Sequence, residues 1–344
     1  MSSKVKNIDL YARDNLARRV LQKYALSPPV DVVLLASRYA TLDIIPIPFD
    51  IDGISLNLKI PGRTPTVILN KNRPNTRQRF TLAHEIGHLV IPWHFGTIID
   101  DIAIDRDSDD TLYWDLEGEA NRFAAELLMP SEWVRSIRQE HDSPCDILEH
   151  IRIGADVSFD AALIRLNSVL PPGYLYGVLN EDGVVISAGR SVGTLAGRPE
   201  RGTLLNFDTA FPASAKRWSM PLRGGICGWW YFPREMTLPA ADETLSWREL
   251  LNEILTDLEL DEEISKKIKQ SVNAIVSYAN SMMSNDLRVN KLAKTAEAIF
   301  SASMQRFDSY SKNDPIISEV AAHKLFPIYL ALRAKQLALG RRTR

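Results

Sequence analysis

Two histidines four residues apart, His84 and His88, lie in an apolar stretch bounded by Pro74 and Pro92, and this run constrains the chain more than any other feature. A spacing of four puts both imidazoles on one face of a helix, one turn apart. Phe80, Leu82, Ala83 and Ile86 give the same helix an apolar surface, so it belongs against a core rather than in solvent. Proline is tolerated at the start of a helix and ends one further on, because it lacks an N–H and clashes with the preceding turn. These signals predict a helix over residues 74–91. Glu85 follows His84 directly, so a cation held by the two imidazoles would have beside it a carboxylate able to take a proton from water.

A metal site that keeps one position open needs three protein ligands. His94 is one candidate, since the run from His84 to His94 has the length of the pattern H-E-x-x-H-x-x-G-x-x-H. Ile91 stands where that pattern needs glycine for a sharp turn, and His94 also reads as a partly exposed loop residue beside Trp93. The other candidate is on a second apolar helix, expected from about residue 115 to residue 129 and stopped by Pro130. Glu117 and Asn121 share a face there at i and i+4, so the amide is placed to orient ligands. Glu119 and Glu126 fall on other faces and read as solvated.

The rest of the chain supplies the setting. Its 344 residues exceed one typical domain and suffice for a real core. A formal charge of −2 gives no global pull toward nucleic acid or membrane, and two cysteines, Cys145 and Cys227, offer no disulfide framework. Short apolar runs at 42–47, 54–60 and 66–69 read as strands of a small sheet. Ser131 reads as the N-cap of a further helix, one or two more follow over 146–170, and Pro171-Pro172-Gly173 is the best linker. Beyond it, 174–180, 184–187 and 225–232 read as strands, and 247–258, 262–282, 292–307 and 317–339 as helices. The expected fold class is therefore α+β, with a small sheet and site-bearing helices followed by a mixed half, strands first and then mainly helices. No apolar run is long enough for a membrane span and no signal peptide stands at the start, which predicts a soluble cytoplasmic protein with no membrane partner.

The residues from Arg77 to His88, followed by those from Glu117 to Pro130, resemble the ImmA/IrrE family of bacterial zinc metallopeptidases. The resemblance covers roughly residues 15–170 and includes Gly53-Ile54-Ser55 and residues 67–70. It implies a zincin-like domain over 1–130, a helical, helix-turn-helix-like extension over 131–170, and a C-terminal α+β sensor or regulatory domain over 171–344. It further implies a thermolysin-like Zn2+ site with His84, His88 and Glu117 as ligands and Glu85 as general base. The implied substrate is a small helix-turn-helix repressor of the XRE type, whose cleavage induces genes for stress response, mobile elements or phage defence. A small molecule or single-stranded DNA acting on the C-terminal half is the expected activator. The alternative is an adaptor that uses the peptidase-like half to bind a partner or nucleic acid without turnover. An oxyanion partner, commonly Tyr or His, should exist, but nothing in the sequence places Tyr113 there.

Other signals are weaker. Asp105, Asp107 and Asp109 begin like a calcium loop but lack glycine at the sixth position and glutamate at the twelfth. They read as a solvated acidic loop that favours a basic substrate. Trp229-Trp230-Tyr231-Phe232 reads as a buried strand rather than a base-stacking surface, and the arginines near the C-terminus as a solvated tail.

Overall fold

The computed structural model describes residues 16–101, 111–241, 246–290, 292–310 and 314–340. The acidic loop at Asp105–Asp109 and the last arginines lie outside the described residues. The chain divides into two compact units, Met1–Val169 and Leu170–Arg344.

The first unit begins with α1, described over residues 16–23, and α2 (Val32–Ala36), which Asp31 caps by accepting from the Leu34 N–H. Next come β1 (Thr41–Ile45), β2 (Ile51–Leu58) and β3 (Thr66–Asn70), then α3 (Asn75–Val90) and β4 (Gly96–Asp101). The four strands form one sheet in the order β1-β3-β2-β4. β1 runs parallel to β3, whereas β2 is antiparallel to both β3 and β4. Alternation along β3 sends Val67 and Leu69 into the core. β4 is an addition to the expected strands: Thr97-Ile98-Ile99 is too short an apolar run, set against aspartates, to stand out from a polar loop.

Helix α3 matches its expected span within a residue at each end, but it is buried on more than one face. Eight consecutive residues, Thr81 to His88, are buried. The sheet covers one side and α4 (Thr111–Leu128) the other, and a glycine admits each neighbour. A Cβ on Gly53 of β2 would lie 2.5 Å from Glu85 Oε1 and 2.7 Å from Thr81 Cγ2. A Cβ on Gly87 would lie 3.2 Å from the Ala120 Cα. α4 begins earlier than its apolar pattern suggests, so Glu117 sits within the helix and not in its first turn.

Three helices complete the unit: α5 (Ser131–Glu140), α6 (Pro144–Ala155) and α7 (Phe159–Val169). Ser143 caps α6, and Asp156, in the left-handed region at φ 53°, ends it. Ser131 is not an N-cap, because Pro130 holds that place. Instead Glu126 does the capping: it accepts from the Ser131 N–H at 3.2 Å and the Ser131 hydroxyl at 2.6 Å. Arg18 of α1 donates to Glu126 at 2.9 Å, and Arg165 of α7 pairs with it while also donating to the Met129 carbonyl at 2.8 Å. Glu126 is thus a buried hub joining four helices, contrary to the solvated reading. Helical periodicity placed it off the apolar face, but the arginines that cover it come from positions 18 and 165.

The second unit opens with β5 (Tyr174–Asn180), β6 (Val185–Arg190), β7 (Lys216–Leu222) and β8 (Gly225–Tyr231), an antiparallel sheet in the order β6-β5-β8-β7. β7 escapes sequence reading because Pro221 interrupts it; an edge strand tolerates that proline. Trp229 and Trp230 are fully buried, Trp229 near Tyr176 and Trp230 against Phe207 and Phe211, which agrees with a core strand. Helices α8 (Trp247–Asp257), α9 (Glu262–Asn290), α10 (Ala296–Tyr310), α11 (Pro315–Ala322) and α12 (Phe326–Ala338) pack around Ile254, Val272, Phe307, Phe326 and Tyr329. The stretch expected as one helix over 317–339 breaks at His323–Leu325: His323 is extended, and Pro327 in the first turn of α12 lacks the N–H that a continuous helix would bond to the His323 carbonyl. Cys145 and Cys227 are both buried, and burial pushes the Cys145 thiol up to about 11. No described helix is long and apolar enough to cross a membrane.

Burial alone would raise the Glu126 carboxyl, yet Arg165, Ser131 and Arg18 together hold it below the usual range. A depressed carboxylate stabilises the fold above its unfolded value of 4.5, and that contribution is lost as pH falls through the folded value. Glu126→Gln is expected to cost about 3 kcal/mol near neutral pH, as for a buried pair deprived of one partner. In thermal melts the gap from wild type should close on acidification below about pH 4.5; a constant gap would refute the hub.

Candidate metal centre

Helices α3 and α4 cross closely at Gly87 and Ala120, and this brings Glu117 to the histidine pair. His84 Nε2 lies 2.9 Å from His88 Nε2 and 3.0 Å from Glu117 Oε2, while His88 Nε2 lies 3.5 Å from Glu117 Oε1. All three residues are buried. Ligands bound at their normal lengths in a tetrahedral set stand about 3.3 Å apart, so these separations suit one small cation.

The protons point the same way. His84 Nδ1 donates to Asn121 Oδ1 at 3.0 Å, leaving Nε2 as a lone pair. Behind His88, the His88 Nδ1 and His94 Nδ1 atoms are 2.7 Å apart, and His94 Nε2 lies 3.3 Å from Glu119 Oε2. The consistent assignment has His94 donating to Glu119 and His88 donating to His94, so the His88 Nε2 is a lone pair as well. Burial, with neighbouring His84 and His94, pushes the His88 pKa far below the histidine range. Burial also lowers His94, even with Glu119 beside it. Two imidazole lone pairs and a carboxylate converge, and Glu117 Oε1 has no hydrogen-bond donor among the described residues. A cation bound among them would offset the cost of burying that set.

His94 is therefore fully buried, not partly exposed, and it meets the Nδ1 side of His88 rather than the metal-facing side. Glu119 is likewise buried, against the solvated reading, and it also accepts from Trp93 Nε1 at 2.6 Å. Helix α3 ends at Val90 and the chain turns back, which carries Trp93 and His94 over α4. Helical periodicity does not see such a return. Lys59 fixes the turn by donating to the His88 carbonyl at 2.8 Å and the His94 carbonyl at 2.7 Å, and burial lowers its pKa to about 8.

Glu85 is fully buried, facing β2. The Ser55 hydroxyl donates to Glu85 Oε2, and Gly53 leaves room for the carboxylate. Ser55 stood in the motif at Gly53-Ile54-Ser55 with no assigned role; its position two residues past a glycine on a strand is the one signal that marks it. Tyr113 is on α4, with its side chain outside the described residues.

A small mixed sheet thus backs two crossed helices that present a buried His-His-Glu set able to hold one metal ion. Residues 39–167 match the family model described as IrrE N-terminal-like domain, so this part of the chain is similar to that family. The radiation response metalloprotease IrrE of Deinococcus deserti is 31% identical over 136 residues, which is 37% of this chain and 48% of that protein. Its counterpart from Deinococcus radiodurans is 30% identical over 112 residues, 33% of this chain and 34% of that protein. The chain spans about half, or less, of the length of these curated relatives.

Titrated with zinc, Glu117→Ala is expected to lose stoichiometric binding. His94→Ala should keep one equivalent at an affinity about 10- to 100-fold lower, as for loss of a partner behind a ligand. Competition with a chromogenic chelator reads both, and complete loss of zinc in His94→Ala would make His94 a ligand.

Proposed function

We propose that the N-terminal unit is a zinc-dependent regulatory endopeptidase with a thermolysin-like site. His84, His88 and Glu117 hold the metal and Glu85 is the general base. The observation that carries this reading is the donor set itself: two imidazoles locked with their lone pairs inward and a carboxylate in register with them, with the carboxylate of Glu85, next to His84 in sequence, held by Ser55.

Zinc bound there supplies Lewis acidity that polarises a scissile carbonyl and acidifies a water. Glu85 accepts that water's proton on its carboxylate and passes it to the leaving amine. Ser55 fixes the Glu85 rotamer through Oε2, so the base is aligned before substrate arrives. Asn121 and the His94–Glu119 pair hold the two imidazole planes. Burial of the set keeps bulk water away from the transferring proton.

The substrate on this reading is a small helix-turn-helix repressor of the XRE type, cut in the cytoplasm to release stress, mobile-element or phage-defence genes. The relatives, named radiation response metalloproteases, fit a stress role. Residues 1–130 form the catalytic part, 131–170 a helical extension and 171–344 a regulatory part that answers to a small molecule or single-stranded DNA.

Glu85→Gln is expected to keep its zinc and to lose cleavage of the repressor by about 10²-fold or more, as for removal of a general base. Mass spectrometry of the cleavage products beside metal analysis checks this, and undiminished cutting by the variant would sink the mechanism. Ser55→Ala should lower kcat with little change in KM or zinc content, because only the alignment of Glu85 is lost. A change in KM alone would refute that role.

A further inference from the structure

Next to the metal centre, within the first unit, lies a cavity of about 1020 Å³ between the start of α3, the exposed side of α4, and α5 and α7. Five arginines line it: Arg18, Arg77, Arg122, Arg135 and Arg165. Asp160 is the one acidic residue of the lining. Three of the guanidiniums are engaged. Arg18 and Arg165 share Glu126, and Arg77 donates to Asp52 at 2.6 Å. Arg122 and Arg135 are exposed and have no ion-pair partner among the described residues.

Two further features add to this charge. The α3 N-terminus, which contributes Pro74, Thr76 and Arg77 to the wall, has no side-chain cap and no acidic residue in its first turn. The positive end of the helix dipole, with no side chain to offset it, therefore reinforces the positive potential. Between the arginines the wall is apolar, made by Phe80, Ala125, Met129 and Ile164, and Ile164 is 65% exposed. A cavity for a free inorganic anion has no use for such a surface; one for a peptide carrying both apolar and acidic side chains does.

Asn121 ties the cavity to the site. It lines the cavity and also accepts from His84 Nδ1, so an occupant lies one side chain away from a metal-facing imidazole. We propose that this cavity is a substrate subsite that takes an acidic, apolar-containing segment of the protein substrate, with Arg122 and Arg135 as its specificity-determining residues. The inference rests on the endopeptidase reading above and names the chemistry of the segment beside the cut. It also reverses the charge preference expected from the aspartate-rich loop.

The test uses the full-length, zinc-loaded Glu85→Gln protein, so that binding is read without turnover. Fluorescein-labelled peptides of equal length, one built of Glu and Leu, one of Lys and Leu and one of Gln and Leu, are titrated by anisotropy, with a thymidine oligonucleotide in parallel. The Glu/Leu peptide is expected to bind most tightly, and added salt should weaken it. Arg122→Glu with Arg135→Glu should weaken it by at least about tenfold, as for loss of charge-assisted hydrogen bonds. The same variant should gain affinity for the Lys/Leu peptide with zinc content and melting temperature unchanged. Equal binding of all three peptides, or an unchanged affinity in the variant, overturns the proposal. Tighter, arginine-dependent binding of the oligonucleotide overturns it in favour of nucleic acid. Zinc analysis and repressor cleavage by the wild type separate the two layers. Arginine-dependent acidic binding without Glu85-dependent cleavage supports the subsite and removes the protease reading, whereas cleavage indifferent to substrate charge does the reverse.

Discussion

Everything in the first unit follows from the need to keep two imidazole lone pairs and a carboxylate together out of water. Each of these groups is costly to bury alone, and the set becomes favourable when a cation sits among them. Burying them requires that α3 be covered from two directions at once. Gly53 and Gly87 permit that cover, one letting β2 down onto Glu85 and the other letting α4 down onto the histidine turn. His84, Glu85 and His88 therefore come from a single helix whose position is dictated by contacts with its two neighbours, and Glu117 comes from one of those neighbours.

Much of this was legible in the sequence, and the reasons are local. A spacing of four on an apolar helix, a glutamate between, and a second apolar helix carrying Glu117 and Asn121 at i and i+4 are statements about neighbouring residues, and helix geometry converts them directly into space. What stayed hidden involves chain reversal. Glu119 and Glu126 look alike along α4, each off the main apolar face. Both are buried, because Trp93 and His94 return over one and Arg18 and Arg165 arrive at the other. Periodicity along one helix carries no information about partners so distant in the chain.

The strands show the same division. β1 to β3 announce themselves by β-branched and aliphatic runs, while β4 and β7 are edge strands, and an edge needs neither a continuous apolar run nor freedom from proline. The aromatic run Trp229–Phe232 was legible as a core strand since each of its residues has a large apolar surface to bury. The helices of the second unit were legible in kind but not in number, because one proline decides where α11 stops and α12 begins.

Glu126 sets a limit on how this protein can be recombined. Its carboxylate closes the N-terminus of α5 and receives a guanidinium from α7, so α4, α5 and α7 share one electrostatic keystone. A graft joined at Pro130 would transplant His84, His88 and Glu117 intact yet strand a buried anion at the seam. The smallest portable module of this chain runs to Val169, and shuffling between related proteins should preserve that block or exchange it whole.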